Sequence, residues 1–92
     1  MFDYDITNEL KLVINKLLKK DKKLAEILYK KIKEIINNNA KTIDRYYNCS
    51  HELKEYKHVH IDKSFVLLFK ADKEKNHILF AALRHHDNLF KK

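Results

Sequence analysis

"SFVLLFKADKEKNHILFAAL", residues 64–83, decides the fold. Residues 64–71 form a nearly continuous apolar run, as expected of a central strand covered on both faces. "DKEKN", 72–76, is charged and reads as a hairpin loop, and "HILFAAL", 77–83, is a second short apolar strand. Two such runs joined so closely predict an antiparallel pair. Just upstream, "YKHVHI", 56–61, alternates: Tyr56, His58 and His60 point one way, and Lys57, Val59 and Ile61 the other. The second half of the chain is therefore expected to be three antiparallel strands.

The first half has a different grammar. "MFDYDI", 1–6, sets Phe2, Tyr4 and Ile6 against Asp3 and Asp5, which predicts a short strand with one buried face. Thr7 suits a helix cap. Beyond it Leu10, Val13, Ile14, Leu17 and Leu18 recur at helical spacing, with Lys11, Asn15, Lys16, Lys19 and Lys20 on much of the other side. Asp21 is a second cap, opening a helix with Leu24, Leu28, Ile32 and Ile35 on one face. "NNNA", 37–40, ends it, since Asn tolerates the left-handed conformation. Residues 40–55 show no clear period and read as loop. The order is β-α-α-β-β-β, an α+β fold: an antiparallel sheet with a helical hairpin packed on one face. Two helices cover only one face of such a sheet. The other is left at least partly open and is the natural place for a site.

The 92 residues correspond to a single domain, 1–92. With 45% hydrophobic and 36% charged residues the composition is that of a soluble globular protein. No apolar run approaches a membrane span, and the acidic start lacks the character of a signal peptide. The single Cys49 excludes an internal disulfide and a multi-cysteine zinc site. A cytoplasmic protein with no membrane partner is expected, with Cys49 a small buried apolar residue. The net charge of +7 favours an anionic partner such as nucleic acid. That charge comes from 18 lysines and only two arginines, a bias that an AT-rich genome also produces.

All six histidines, His51, His58, His60, His77, His85 and His86, follow residue 50. His58-x-His60 places two imidazoles on one face of one strand, roughly 7 Å apart. Imidazoles among lysines suit proton transfer beside a phosphate. A metal set built on the same pair lacks a cysteine or well-spaced carboxylate to complete it; neither metal nor cofactor is expected.

The whole pattern resembles the RelE/ParE toxin superfamily. The specific likeness runs from Arg45 to Phe90. "ELKEYKHVHIDKSFVLLFKAD", 52–72, is similar to the family stretch in which a Leu-Lys-Gly-Tyr-Arg segment leads into a strand ending in His, followed by a strongly apolar strand. "RHHDNLF", 84–90, resembles the family's ending, a His followed shortly by Leu-Phe or Ile-Tyr. The YafQ-like and archaeal RelE-like branches look most alike. The resemblance implies the toxin of a type II toxin–antitoxin pair, an mRNA endoribonuclease acting on the ribosome and held inactive by a partner antitoxin. It also implies histidine catalysis, with His60 and His86 in the matching positions and His51 the nearest counterpart of a loop histidine. Three departures stand out: Ser64 where that branch often has Asp, Glu55 where the segment has Gly, and Arg45 and Arg84 alone where other members carry several arginines.

On this reading the last strand delivers Arg84, His85 and His86 to the open face opposite His60, and Leu89 and Phe90 pin the tail. The candidate catalytic residues are His60, His86, His51 and His85. Arg84, Lys54, Lys57 and Lys63 are the candidate phosphate holders. Two other functions compete: a non-catalytic ParE-like gyrase inhibitor, and a small basic nucleic-acid-binding domain without activity.

Overall fold

A computed structural model describes residues 1–85. The elements are β1 (Asp3–Ile6), α1 (Asn8–Lys20), α2 (Lys22–Ile36), two single 3-10 turns at Ile43–Arg45 and His51–Leu53, β2 (Lys57–Ile61), β3 (Phe65–Asp72) and β4 (His77–His85). The sheet order is β1-β4-β3-β2. The three strands of the second half form the expected antiparallel meander. β1 joins its outer edge in parallel with β4, Asp3 opposite His77 and Ile6 opposite Phe80. A parallel pair requires a long crossover, which the helical hairpin and the meander together supply.

Two capping residues set the helical layer. The Thr7 hydroxyl accepts from the Leu10 N–H at 3.2 Å and donates to the Ala81 carbonyl at 2.6 Å, so the cap of α1 is also tied to β4. Asp21 ends α1, its N–H donating to the Leu17 carbonyl, and opens α2, its carboxylate accepting from the Leu24 N–H at 3.1 Å. One residue thus forms the whole link of the hairpin. Leu10, Ile14, Leu24, Leu28, Ile32 and Ile35 bury against Leu67, Phe69, Ile78, Phe80 and Leu83 of the sheet. Burying each such side chain contributes roughly 1.5–3 kcal/mol. Leu18, expected in that stripe, is 42% exposed, because one step past Leu17 the helix has turned the side chain outward.

The end of α2 also differs from expectation. Asn37 is right-handed, and among the described residues those with positive φ are His51, Asp62 and Asn76. The Asn run works through its side chains instead. The buried Asn38 amide donates to the Glu34 and Ile35 carbonyls, at 3.0 and 3.1 Å, capping the last turn.

One irregularity decides what faces where. Leu68 pairs with Ala82 and Phe69 with Phe80, leaving Ala81 as the extra residue of a β-bulge. The bulge reverses the alternation of β4. Ile78 and Phe80 lie under the helices before it, Leu83 after it, and Ala82 packs on the opposite face.

Candidate functional site

The face away from the helices is built by alternate residues of three strands. His60 pairs with Val66, and Val66 with Arg84, so the three form one row across the sheet. With roughly 4.8 Å between neighbouring strands, the His60 and Arg84 backbones stand about 10 Å apart, a span that a phosphodiester and its flanking sugars fill. His58, Leu68 and Ala82 make the next row. Part of this face is covered: Cys49, Leu53 and Tyr56 pack on Val66, Leu68 and Ala82. The His60–Arg84 end is left exposed. Lys63, in the turn between β2 and β3, is exposed just beyond it, and Lys54 is exposed on the covering loop.

A cleft of about 220 Å³ opens beside Arg84, with Leu53, Leu68 and Ala82 as its floor, Tyr56 as a wall and Thr7 and Glu9 on its rim. Glu9, in the first turn of α1, makes an ion pair with the Arg84 guanidinium. Nothing in the linear sequence marks Glu9. It reaches the site because the Thr7–Ala81 hydrogen bond seats the start of α1 against β4. A larger groove of about 690 Å³ lies around His77, Lys70 and Lys73, away from this row. Its charges are matched internally, Lys70 with Glu55 at 3.9 Å and Lys73 with Asp44.

The histidines separate. His58 is half-buried, its Nδ1 3.6 Å from Cys49 Sγ and its ring 6.3 Å from that of His60. Burial and then the neighbouring His60 push its pKa down, against the raising effect of a hydrogen bond that the ring donates to the Tyr47 backbone carbonyl. The shift disfavours the charged form of the His58 ring, which lies beside that of His60 on the same face of β2. Burial likewise pushes the Cys49 thiol up, so Cys49 acts as a small packing residue. His51 begins the second 3-10 turn with φ 59°, exposed on the covering loop. His77, at the far end of β4, sits 2.9 Å from the Asp5 carboxylate. His86 lies outside the described residues.

Two candidates need correction. His85 does not share the face of His60 and Arg84. It is the last residue of β4 and pairs with Phe65, its ring 5.5 Å from the Phe65 ring on the helix side. Alternation puts it there as surely as it puts Arg84 on the other face. Lys57 is not a surface cation. It is 7% exposed, and its ammonium donates to the Tyr46 carbonyl and Asn48 Oδ1, both at 3.0 Å, with the Asp44 carboxylate at 3.2 Å. Lys57 anchors the loop that covers the sheet, its ammonium turned to these partners rather than to the exposed face.

Among the described residues no group of three or more His, Cys, Asp or Glu side chains is arranged to hold a metal ion. Nor is any described helix long and apolar enough to cross a membrane.

No family model matches the chain. A protein of Methanocaldococcus jannaschii named "Putative toxin RelE4" is 40% identical over 92 residues, covering 100% of this chain and 94% of its own length. Among solved structures, YafQ from E. coli strain BL21(DE3) matches with a TM-score of 0.74 and 16% identity, over 98% of this chain and 99% of that one. The toxin–antitoxin complex YoeB–YefM of Staphylococcus aureus matches with a TM-score of 0.73 and 20% identity, over 94% of this chain and 98% of that one. The two structures agree with the α+β arrangement of the helical hairpin and four strands, and the archaeal relative carries the likeness to the sequence itself. The chain belongs to the RelE-like toxin superfamily.

Proposed function

We propose that the chain is the toxin of a type II toxin–antitoxin pair, acting in the cytoplasm as an endoribonuclease that cleaves mRNA on the ribosome. The observation that supports this best is the row His60–Val66–Arg84, in which exposed His60 and Arg84 flank the buried Val66 on the same face of the sheet, two strands apart. RNA brings its own nucleophile. A base removes the 2′-OH proton, the oxygen attacks phosphorus, the bond to the 5′-oxygen breaks and an acid protonates that oxygen, leaving a 2′,3′-cyclic phosphate. His60 and His86 share the two proton transfers. Arg84, with Lys54 and Lys63, holds the phosphate as its charge grows. His51, on the covering loop, is the third histidine of the set. With so few arginines the intrinsic rate is modest, and the ribosome supplies the alignment of the RNA strand.

The S. aureus toxin–antitoxin pairing supports a companion antitoxin for this chain as well. Its inhibitory segment is acidic or amphipathic, disordered alone and ordered on binding.

The test is a translation extract programmed with one defined mRNA and read by primer extension. Discrete new 5′ ends are expected with the parent protein, and at least about tenfold fewer with His60→Ala, the loss typical of a general acid or base. Absence of cuts together with blocked DNA supercoiling by gyrase would replace this reading with a gyrase inhibitor. Absence of both leaves a binding module.

A further inference from the structure

Much of the positive charge of this protein lies away from the candidate site. Residues 8–36, the helical hairpin, hold nine lysines against four acidic residues, a net +5, beside +4 for residues 37–92 and −2 for residues 1–7. Five of the nine meet at one corner. Lys16, Lys19 and Lys20 follow one another at i, i+3 and i+4 on the last turns of α1, and Lys22 and Lys23 occupy the first turn of α2. All five are exposed. The corner stands roughly 15 Å along α1 from Glu9 and the cleft.

Local folding does not explain this cluster. Like charges at i, i+4 repel on a helix surface. Lys22 and Lys23 sit at the positive end of the α2 dipole, where an anion is favoured, and no acidic residue offsets them in that turn. The one acid among them, Asp21, spends its carboxylate on the Leu24 N–H. None of the five lysines is ion-paired among the described residues, whereas Lys57, Lys70 and Lys73 of the sheet half are each matched by a carboxylate. The hairpin corner thus gathers five exposed lysines, none of them ion-paired among the described residues, within two adjoining helix ends.

We infer that the α1–α2 corner is a second RNA-binding surface, one that grips the phosphate backbone of an RNA double helix. The inference rests on the proposed ribosomal action and adds to it a contact separate from the cleavage site. Three features favour duplex RNA over other anions. Lysine is a mobile point charge suited to rows of phosphates, where Arg would suit bidentate recognition of a single group. Residues 8–28 contain no aromatic side chain, so the corner lacks the stacking platform that single strands use. The apolar groove of the helical layer, lined by Tyr4, Tyr29 and Ile36, lies toward the other end of α2, so an amphipathic peptide would find its anchors there and not at the corner. A-form RNA is recognised largely by shape and backbone, and the one-residue hairpin link brings the two lysine-bearing helix ends together for it.

The test replaces Lys16, Lys19, Lys20, Lys22 and Lys23 together by Gln, which keeps helix propensity, with a second variant carrying Arg at all five and a melting curve to confirm that both fold. The probe is a fully paired RNA duplex of 20 base pairs, titrated over a series of salt concentrations. The parent should bind with a steep salt dependence, and the Gln variant at least tenfold more weakly at physiological salt. Its log–log slope should be shallower by several units, at about 0.9 per lost phosphate contact. The Arg variant should bind as the parent does. Equal affinity and slope in parent and Gln variant overturn the inference, as does loss of antitoxin capture with duplex binding unchanged, which would make the corner a protein contact. Cleavage is followed separately in the translation extract. A parent that binds duplex but makes no cuts removes the nuclease reading and leaves the corner standing. Cuts by a parent whose duplex binding ignores the five lysines do the reverse.

Discussion

Glu9 and Arg84 stand 75 positions apart in the chain and meet in an ion pair at the rim of the cleft. The guanidinium that would hold a phosphate is already occupied by an anion of the protein's own. Both side chains are about half exposed, at 52% and 45%, so the pair itself is worth at most about 1 kcal/mol. Glu9→Gln should therefore leave the melting temperature nearly unchanged while releasing Arg84. Affinity for a short single-stranded RNA should rise, by up to about fivefold at low salt. Arg84→Ala should lower it. A Glu9→Gln protein that binds RNA more weakly than the parent would show that the carboxylate orients the guanidinium productively rather than competing with RNA for it.

The two faces of the sheet give a direct contrast. His60→Ala should lower cleavage at least about tenfold, whereas His85→Ala, on the helix side, and His77→Ala, at the far end of β4, should each stay within about twofold of the parent. Primer extension on one mRNA scores all three. Equal losses at His60 and His85 would mean that substrate reaches both faces.

Thr7 joins two jobs, capping α1 and holding the Ala81 bulge that turns Arg84 to the exposed face. Thr7→Val keeps the shape and removes both hydrogen bonds. A loss of about 1–2 kcal/mol in urea unfolding is expected, as for other lost caps. Cleavage should fall more than the fraction unfolded accounts for, because Arg84 and Glu9 lose their registration.

Lys57 tests the covering loop. Lys57→Ala leaves the Tyr46 carbonyl and Asn48 side chain without their donor, which costs about 1–3 kcal/mol. Hydrogen exchange should quicken across residues 44–56 before it does in the helices. A variant as stable as the parent, with weakened RNA binding, would return Lys57 to the list of phosphate holders.

His58 sets a pH dependence. Its folded pKa lies below the ordinary 6.5 because burial disfavours the charged ring. Between 6.5 and the lower folded value the unfolded chain binds more protons than the native one, so stability rises with pH through that window and is lost as pH falls through it. Thermal melts from pH 7.5 down to 5 should show this loss, and His58→Gln should flatten its share of it.

How much was legible in the sequence depends on what kind of signal each feature leaves. The amphipathic helices, the meander and the caps at Thr7 and Asp21 are written in local spacing and emerged as expected. The side of the sheet chosen by His58 and His60 followed from simple alternation. The face of Arg84 did not, because Phe80, Ala82 and Arg84 share one parity in an apolar strand and only the bulge at Ala81 divides them. Plain alternation along β4 puts His85 on the face opposite Arg84, against the expectation that both reach one face. Lys57 read as a solvent cation because its partners Tyr46 and Asn48 lie in a loop with no period. Glu9 was invisible for the related reason that its partner is almost the whole chain away.

The edge strand β1 pairs with β4, Asp3 against His77, so an early strand is completed only by one that follows it by some seventy residues. During synthesis the N-terminal strand waits with one ladder unformed until residues 77–80 have been added and have cleared the exit tunnel. Contacts of such long sequence separation form late and slowly. A nascent chain interrupted anywhere before them lacks Arg84 and the Ala81 carbonyl to which Thr7 bonds. The topology thereby makes assembly of this site contingent on β4, and a fragment that stops short of Ala81 lacks the partner of both β1 and Thr7.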